Sequence, residues 1–355
     1  MINYEFASDN TAPAAVEIVA SIAAANSGNV LSYGGDPWTA KLRDAVARAF
    51  DTPQRVGVVP ILSGKLANHL SLAAITEPGG VIFCHEHAHI HIDENDGPAY
   101  VTRCRLVGLP GDTDKIDSDS FRDAIAREAP LPLGSALSIT NATEAGGVYT
   151  LDQMNELAEI AHGAGLSVHL DGARIANAAV ALDCNPADVT WRAGIDILSL
   201  GATKNGGLGA EAVVAFDPIV AKRLRAKQLL LGHEPSKMRF LSAQLIAWLE
   251  NDGWRDRAAH ANSAARALAN RLGSIPGIEI IQPVEANLIF TAISSDIRSR
   301  LDTSGYFLYS MPMFGENVVR FATSWATTDE SINTLVRALS ALSDAHSIRT
   351  TSSSV

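Results

Sequence analysis

Two segments about thirty residues apart hold the side chains from which chemistry could be built. Ser167-Val168-His169-Leu170-Asp171-Gly172-Ala173-Arg174 and Ile195 through Ser199-Leu200-Gly201-Ala202-Thr203-Lys204-Asn205-Gly206-Gly207 each begin as an apolar run of strand character and end in polar residues beside glycine. In an open parallel sheet, such runs deliver their polar ends to the carboxyl edge. One end then offers a carboxylate and a guanidinium, and the other an amine. That is the set pyridoxal phosphate (PLP) requires: a lysine to form an imine with its aldehyde, and an acid to keep the pyridine nitrogen protonated so that the ring can draw electrons. Taken singly, Lys204 could cap a turn and Asp171 a helix; the pairing carries the reading.

Other residues fit around that pair. Arg174, three residues after Asp171, has the planar fork that suits a carboxylate or a phenolic oxygen. Ser63-Gly64-Lys65 falls where a strand gives way to a helix, and free backbone amides with a favourable dipole make such a start a phosphate site. Cys84-His85-Glu86-His87-Ala88-His89-Ile90-His91 places four histidines at alternate positions, so an extended chain would project them to one side, with Asp93 and Glu94 close behind. That pattern could ligate zinc. A helix would scatter it, and the PLP reading needs no metal. Arg320 lies in Val318-Val319-Arg320-Phe321, a short strand where a charge calls for a partner.

Apolar and amphipathic runs alternate from about residue 50 to 216, the rhythm of a mostly parallel sheet with helices on both faces. Seven strands are expected, over 56–61, 80–84, 103–107, 135–140, 166–170, 195–200 and 211–216, with helices between them over 65–76, 118–128 and 151–163. Thr150 and Gln153 form a capping-box pattern ahead of the last. After Ser236 the texture changes to long helices and then to a short mixture of strand and helix. The expected organisation is an N-terminal arm (1–25), a large domain (26–240), a smaller C-terminal α+β domain (241–345) and a flexible tail (346–355).

A net charge of −11 argues against nucleic acid as a partner, since phosphate contacts need a basic face. No apolar run reaches the ~18 residues of a membrane span. The opening Met1-Ile2-Asn3-Tyr4-Glu5 lacks the layout of a signal peptide. A cytoplasmic protein is expected. Three scattered cysteines make no disulfide framework.

Seven motifs occur in the order found in threonine aldolases: Phe6-Ala7-Ser8-Asp9-Asn10, Tyr33-Gly34-Gly35-Asp36, Glu86-His87-Ala88-His89, Ile139-Thr140-Asn141-Ala142-Thr143-Glu144, Asp171-Gly172-Ala173-Arg174, Thr203-Lys204-Asn205-Gly206 and Ser236-Lys237-Met238-Arg239-Phe240. The chain resembles the low-specificity L-threonine aldolases that also act on phenylserine. The resemblance implies the type I fold of PLP enzymes, a lyase that cleaves L-threonine, L-allo-threonine and other β-hydroxy-α-amino acids to glycine and an aldehyde, and a homo-oligomer, with a tetramer favoured over a dimer. Another enzyme of the same fold, a β-eliminating lyase or an aminotransferase, is the nearest alternative; a metal-dependent hydrolase built on His85 to His91 is the remoter one.

By the same resemblance Lys204 carries PLP as a Schiff base, Asp171 meets its pyridine nitrogen, Arg174 reaches its phenolic oxygen and His89 stacks on its face. Ser63, Gly64 and Lys65 hold its phosphate, with Lys237 and Arg239 near that phosphate from a neighbouring subunit. Ser8, Arg174 and Arg320 take the substrate carboxylate. Tyr33, Asp93 and Thr143 line the space around the substrate's β-substituent. Some relatives carry a histidine where this chain has Thr143, so His89 is the expected base for the β-hydroxyl proton.

Overall fold

In the computed structural model, which describes residues 2–52 and 56–352, the chain divides into two compact units. One comprises Ala14–Asp256; the other comprises Met1–Pro13 together with Arg257–Val355. The division therefore falls later than residue 240. The reason lies in packing: helix Arg239–Leu249 rests on Val16–Ala25 and on Pro37–Ala49, so these three segments belong to the large unit. Residues 2–13 join the other unit, where Asn3 pairs with Tyr306 and the Ala322 amide donates to the Phe6 carbonyl at 2.9 Å. The last helix runs through Ser352; the rest of the expected tail lies outside the described residues.

The large unit is built on seven strands, β1 (Gly57–Ile61), β2 (Val81–His85), β3 (Arg105–Leu109), β4 (Ala136–Thr140), β5 (Ser167–Gly172), β6 (Ile197–Gly201) and β7 (Glu211–Ala215), in the order β1-β7-β6-β5-β4-β2-β3. Only β7 runs against the others. The central strands are buried along their length, which explains their nearly unbroken apolar sequences. Helices Gly64–Ile75, Ser118–Glu128 and Leu151–Gly163 connect or cover them. The last is opened by the Thr150/Gln153 capping box in both its hydrogen bonds.

Strands β5 and β6 place Asp171 opposite Ser199, and Gly172 opposite Leu200. Their ends meet backbone to backbone. A Cβ on Gly201 would stand 2.7 Å from the Ala173 backbone, and one on Gly172 would stand 2.8 Å from the Ser199 carbonyl. Glycine at both positions is what lets the loops bearing Arg174 and Lys204 leave the sheet so close together.

The other unit carries a four-stranded antiparallel sheet of β8 (Ile278–Ile280), β9 (Leu288–Ile293), β10 (Tyr309–Ser310) and β11 (Val318–Ala322) in the order β10-β11-β9-β8. Phe6, Leu268, Ile289, Phe321, Leu335 and Leu339 fill its core, which is why the N-terminal residues are tied to it. Among the described residues no helix is long and apolar enough to cross a membrane.

Candidate active site

Asp171 is the penultimate residue of β5 and is 4% exposed. A buried carboxylate is costly unless hydrogen-bonded. Its Oδ2 accepts from Asn68 Nδ2 at 2.7 Å and its Oδ1 from the Ala173 amide at 3.0 Å. Arg174 is buried and occupies the N-cap of helix Ile175–Ala181. Lys204 sits in the single turn Thr203–Asn205 that follows β6. Beneath that turn Glu211 is buried and accepts from the Ala202 amide at 2.6 Å. Burial pushes its carboxyl up, against the pull of the Thr203 hydroxyl, the Ala202 amide and the Lys204 charge.

His89 opens the short helix His89–Ile92, and its ring is held by a carboxylate absent from the expected set. Glu94 is 5% exposed; its Oε1 lies 2.7 Å from His89 Nδ1 and 2.9 Å from Asn68 Nδ2, and its Oε2 lies 2.8 Å from His69 Nε2. Burial alone would raise Glu94, but the bonds from His69, His89 and Asn68 hold it at about 2. Burial likewise works against protonation of His89; the Glu94 hydrogen bond and the Asp171 charge outweigh it, Lys204 opposes them, and the imidazole ends above its usual range. With an ionised acceptor at Nδ1, the proton resides there and Nε2 is the atom that titrates.

Asn68 thus joins the Asp171 carboxylate to the His89–Glu94 pair. On the other side, Glu144 Oε1 accepts from the His89 amide at 2.8 Å and from the Thr140 hydroxyl at 3.2 Å. Burial and the Asp171 charge push Glu144 up to about 7. Deeper in the sheet, His169 bridges Ser138 and Ser199 at 2.8 and 2.9 Å, and burial holds its imidazole down at about 4.

Ser63 is the N-cap of helix Gly64–Ile75, accepting from the Leu66 amide at 3.4 Å, and the space in front of Gly64 is open. Lys65 is exposed, its ammonium 2.6 Å from the Asp93 carbonyl oxygen. The Asp93 carboxylate faces solvent at the end of the His89 helix. Tyr33 adopts φ 55° and its amide donates to the Ser236 carbonyl at 3.1 Å, so the Tyr33 turn and the segment bearing Lys237 and Arg239 lie side by side. They border a cavity of about 480 Å³ that Arg43, Arg225 and Gln228 also line. Lys237 is exposed, and Arg239 donates to the Gly28 carbonyl at 3.2 Å.

Thr143 departs from the expectation. It is fully buried; its hydroxyl donates to the Thr113 carbonyl at 2.7 Å and accepts the Gly147 amide at 2.9 Å, so it braces two loops instead of lining a substrate space. The histidine run also differs from an extended array. β2 ends at His85, a turn follows, and a helix begins at His89, so His85 and His87 face Asp114 while His89 faces Glu94 and His91 meets the Glu86 carbonyl. In the other unit, Arg320 donates to the Ala7 carbonyl at 3.4 Å beside Ser8, with its guanidinium over the Tyr309 ring at 5.4 Å. Ser8 caps the turn Asp9–Thr11.

Asn68, His69 and Glu94 are the residues that sequence reasoning passed over as site groups. Asn68 is the one amide among the buried residues of helix Gly64–Ile75, and no spacing in the sequence marks it as meeting Asp171 or His69 as meeting Glu94.

A family model described as beta-eliminating lyase matches residues 5–295. A low specificity L-threonine aldolase from Pseudomonas aeruginosa is 35% identical over 336 residues, covering 94% of this chain and 96% of that protein. Another from a Pseudomonas species is 34% identical over 344 residues, covering 96% and 98%. A solved threonine aldolase from Leishmania major superposes with a TM-score of 0.88 at 23% identity, covering 96% of this chain and 99% of that one. A serine palmitoyltransferase from Sphingomonas wittichii superposes at 0.72 with 14% identity, covering 97% and 88%. At these identities the two structural likenesses concern the fold.

Proposed function

The chain belongs to the beta-eliminating lyase family and has the type I fold of PLP enzymes, and on that footing we propose that it cleaves L-threonine, L-allo-threonine and other β-hydroxy-α-amino acids, phenylserine included, to glycine and an aldehyde. The observation that carries the reading is the meeting, at two glycine-apposed strand ends, of a buried carboxylate, a lysine turn and a histidine held by a carboxylate.

These residues fit pyridoxal phosphate. Asp171 has a buried, doubly hydrogen-bonded carboxylate, and an N-capped helix start faces open space at Gly64. When bound, PLP supplies an electron sink for the pair left on the substrate's Cα. Lys204 would hold it through its amine. Asp171, oriented by Asn68 and the Ala173 amide, would keep a proton on the heterocyclic nitrogen. The amides of Gly64 and Lys65 with the Ser63 cap would receive the phosphate. Arg174 would reach the phenolic oxygen and the substrate carboxylate.

His89 has the properties of the base. Glu94 fixes its Nδ1 proton and ring orientation, leaving Nε2 to take the β-hydroxyl proton directly or through one water. The family resemblance assigns Arg320 and Ser8 to the substrate carboxylate, Tyr33 and Asp93 to the surroundings of the β-substituent, and Lys237 and Arg239 to the phosphate of a neighbouring copy. With them go a cytoplasmic location and a dimer or, by preference, a tetramer. Few groups would then hold the β-carbon, which suits broad aldehyde tolerance.

The test is product analysis of the purified protein with L-threonine and added PLP. Glycine and acetaldehyde in equal amounts are expected; a keto acid and ammonia, or a transaminated partner keto acid, would replace this reading with that of an eliminating lyase or an aminotransferase.

A further inference from the structure

A second group of ligand-type side chains lies behind the His89 segment. His85 ends β2, His87 follows two residues on, and Asp114 closes the turn Asp112–Asp114 beyond β3. One ligand atom from each lies within 4.8 Å of the others; Nδ1 of His85 and of His87 stand 3.7 and 2.9 Å from Asp114 Oδ1.

Asp114 is 4% exposed, and its Oδ2 has no hydrogen-bond partner among the described residues. A buried carboxylate with one oxygen bonded to the His87 imidazole and the other unmatched is a costly arrangement, and a cation would relieve it. His85 is already in a ligand's tautomer. Its Nε2 donates to the Gly111 carbonyl at 3.1 Å, which leaves the lone pair on Nδ1, the arrangement by which a backbone carbonyl orients a metal-bound histidine. That lone pair also receives the His87 amide at 3.1 Å, a contact that cation binding would exchange. The turn beneath is braced by Thr143, whose hydroxyl holds the Thr113 carbonyl.

We infer that His85, His87 and Asp114 form a binding site for one zinc-like divalent cation, with water in the fourth position. Two imidazole nitrogens and one carboxylate oxygen suit zinc, cobalt or nickel, whereas magnesium and calcium favour oxygen ligands. The ion would tie the end of β2 to the turn beyond β3, just before the helix that carries His89. The inference stands apart from the proposed reaction, which needs no such ion.

The experiment is titration of the untagged, chelator-dialysed protein with Co2+, following its visible d–d absorption and measuring stoichiometry by equilibrium dialysis, for the wild type, Asp114→Asn and His87→Gln. The expected result is one Co2+ per chain with a four-coordinate spectrum, displaced by Zn2+, and binding weakened at least about tenfold in both variants. Circular dichroism checks that the variants fold. His87 is 28% exposed, so its variant decides the matter if Asp114→Asn does not fold. Absence of saturable binding, or cobalt held equally by wild type and variants, would show three hydrogen-bonded side chains and an adventitious ion only.

Discussion

Replacing Glu94 with glutamine separates charge from shape at the centre of the site. Glu94 is buried against His69, His89 and Asn68, and these partners bring it from an ordinary 4.5 to about 2 although burial alone would raise it. At about 1.4 kcal/mol per pH unit, that drop corresponds to ~3 kcal/mol favouring the ionised carboxylate in the folded protein. A carboxyl whose folded pKa is depressed contributes stability above its unfolded value and loses it as pH falls through the folded value, here between about 4.5 and about 2. Glu94→Gln should therefore cost up to ~3 kcal/mol in urea unfolding at pH 7, with the deficit shrinking as pH approaches 2. The second readout is catalytic. Glu94 is the foremost influence raising His89 against burial, so the variant's imidazole should titrate lower. A base works when deprotonated; the acidic limb of kcat/KM for L-threonine should move to lower pH, while kcat falls about 100-fold or more. An acidic limb that stays in place, with unchanged urea stability, would refute the claim that Glu94 sets the basicity of His89.

Asp171→Asn keeps the Asn68 side and the shape but removes the charge; loss of a buried charge pairing of ~4 kcal/mol predicts kcat/KM for L-threonine down about 1000-fold, and near-normal turnover would contradict the role assigned to Asp171. Glu144, pushed up to about 7, contributes stability that is full below about 4.5 and lost as pH rises through 7. Glu144→Gln should exceed the wild type by up to ~3 kcal/mol in urea unfolding at pH 8 and match it at pH 4. In that variant the opposite slope of His169 should emerge: held at about 4, it contributes stability above about 6.5 that is lost as pH falls through 4, an effect of up to ~3 kcal/mol.

The strands were legible because a sheet covered on both faces writes itself as unbroken apolar runs, and Asp171 and Lys204 were legible because each ends such a run beside glycine. The network around them was not. Asn68 and Glu94 meet Asp171 and His89 because helix Gly64–Ile75 lies across β5 and β6, and nothing local in either residue's surroundings announces that crossing. Alternating histidines pointed to a common face only for a chain that stays extended, and β2 ends at the first of them. The change to long helices after Ser236 marks a change of texture, whereas the division between units follows the packing of Arg239–Leu249 on its neighbours.

Lys204, in the turn after β6, is the residue on which the proposed chemistry most directly depends. Borohydride reduction of the purified protein followed by peptide mass spectrometry should find a pyridoxyl group on Lys204, with loss of the cofactor's absorption band and of turnover. Lys204 unmodified, or the label fixed on another lysine, would contradict that chemistry.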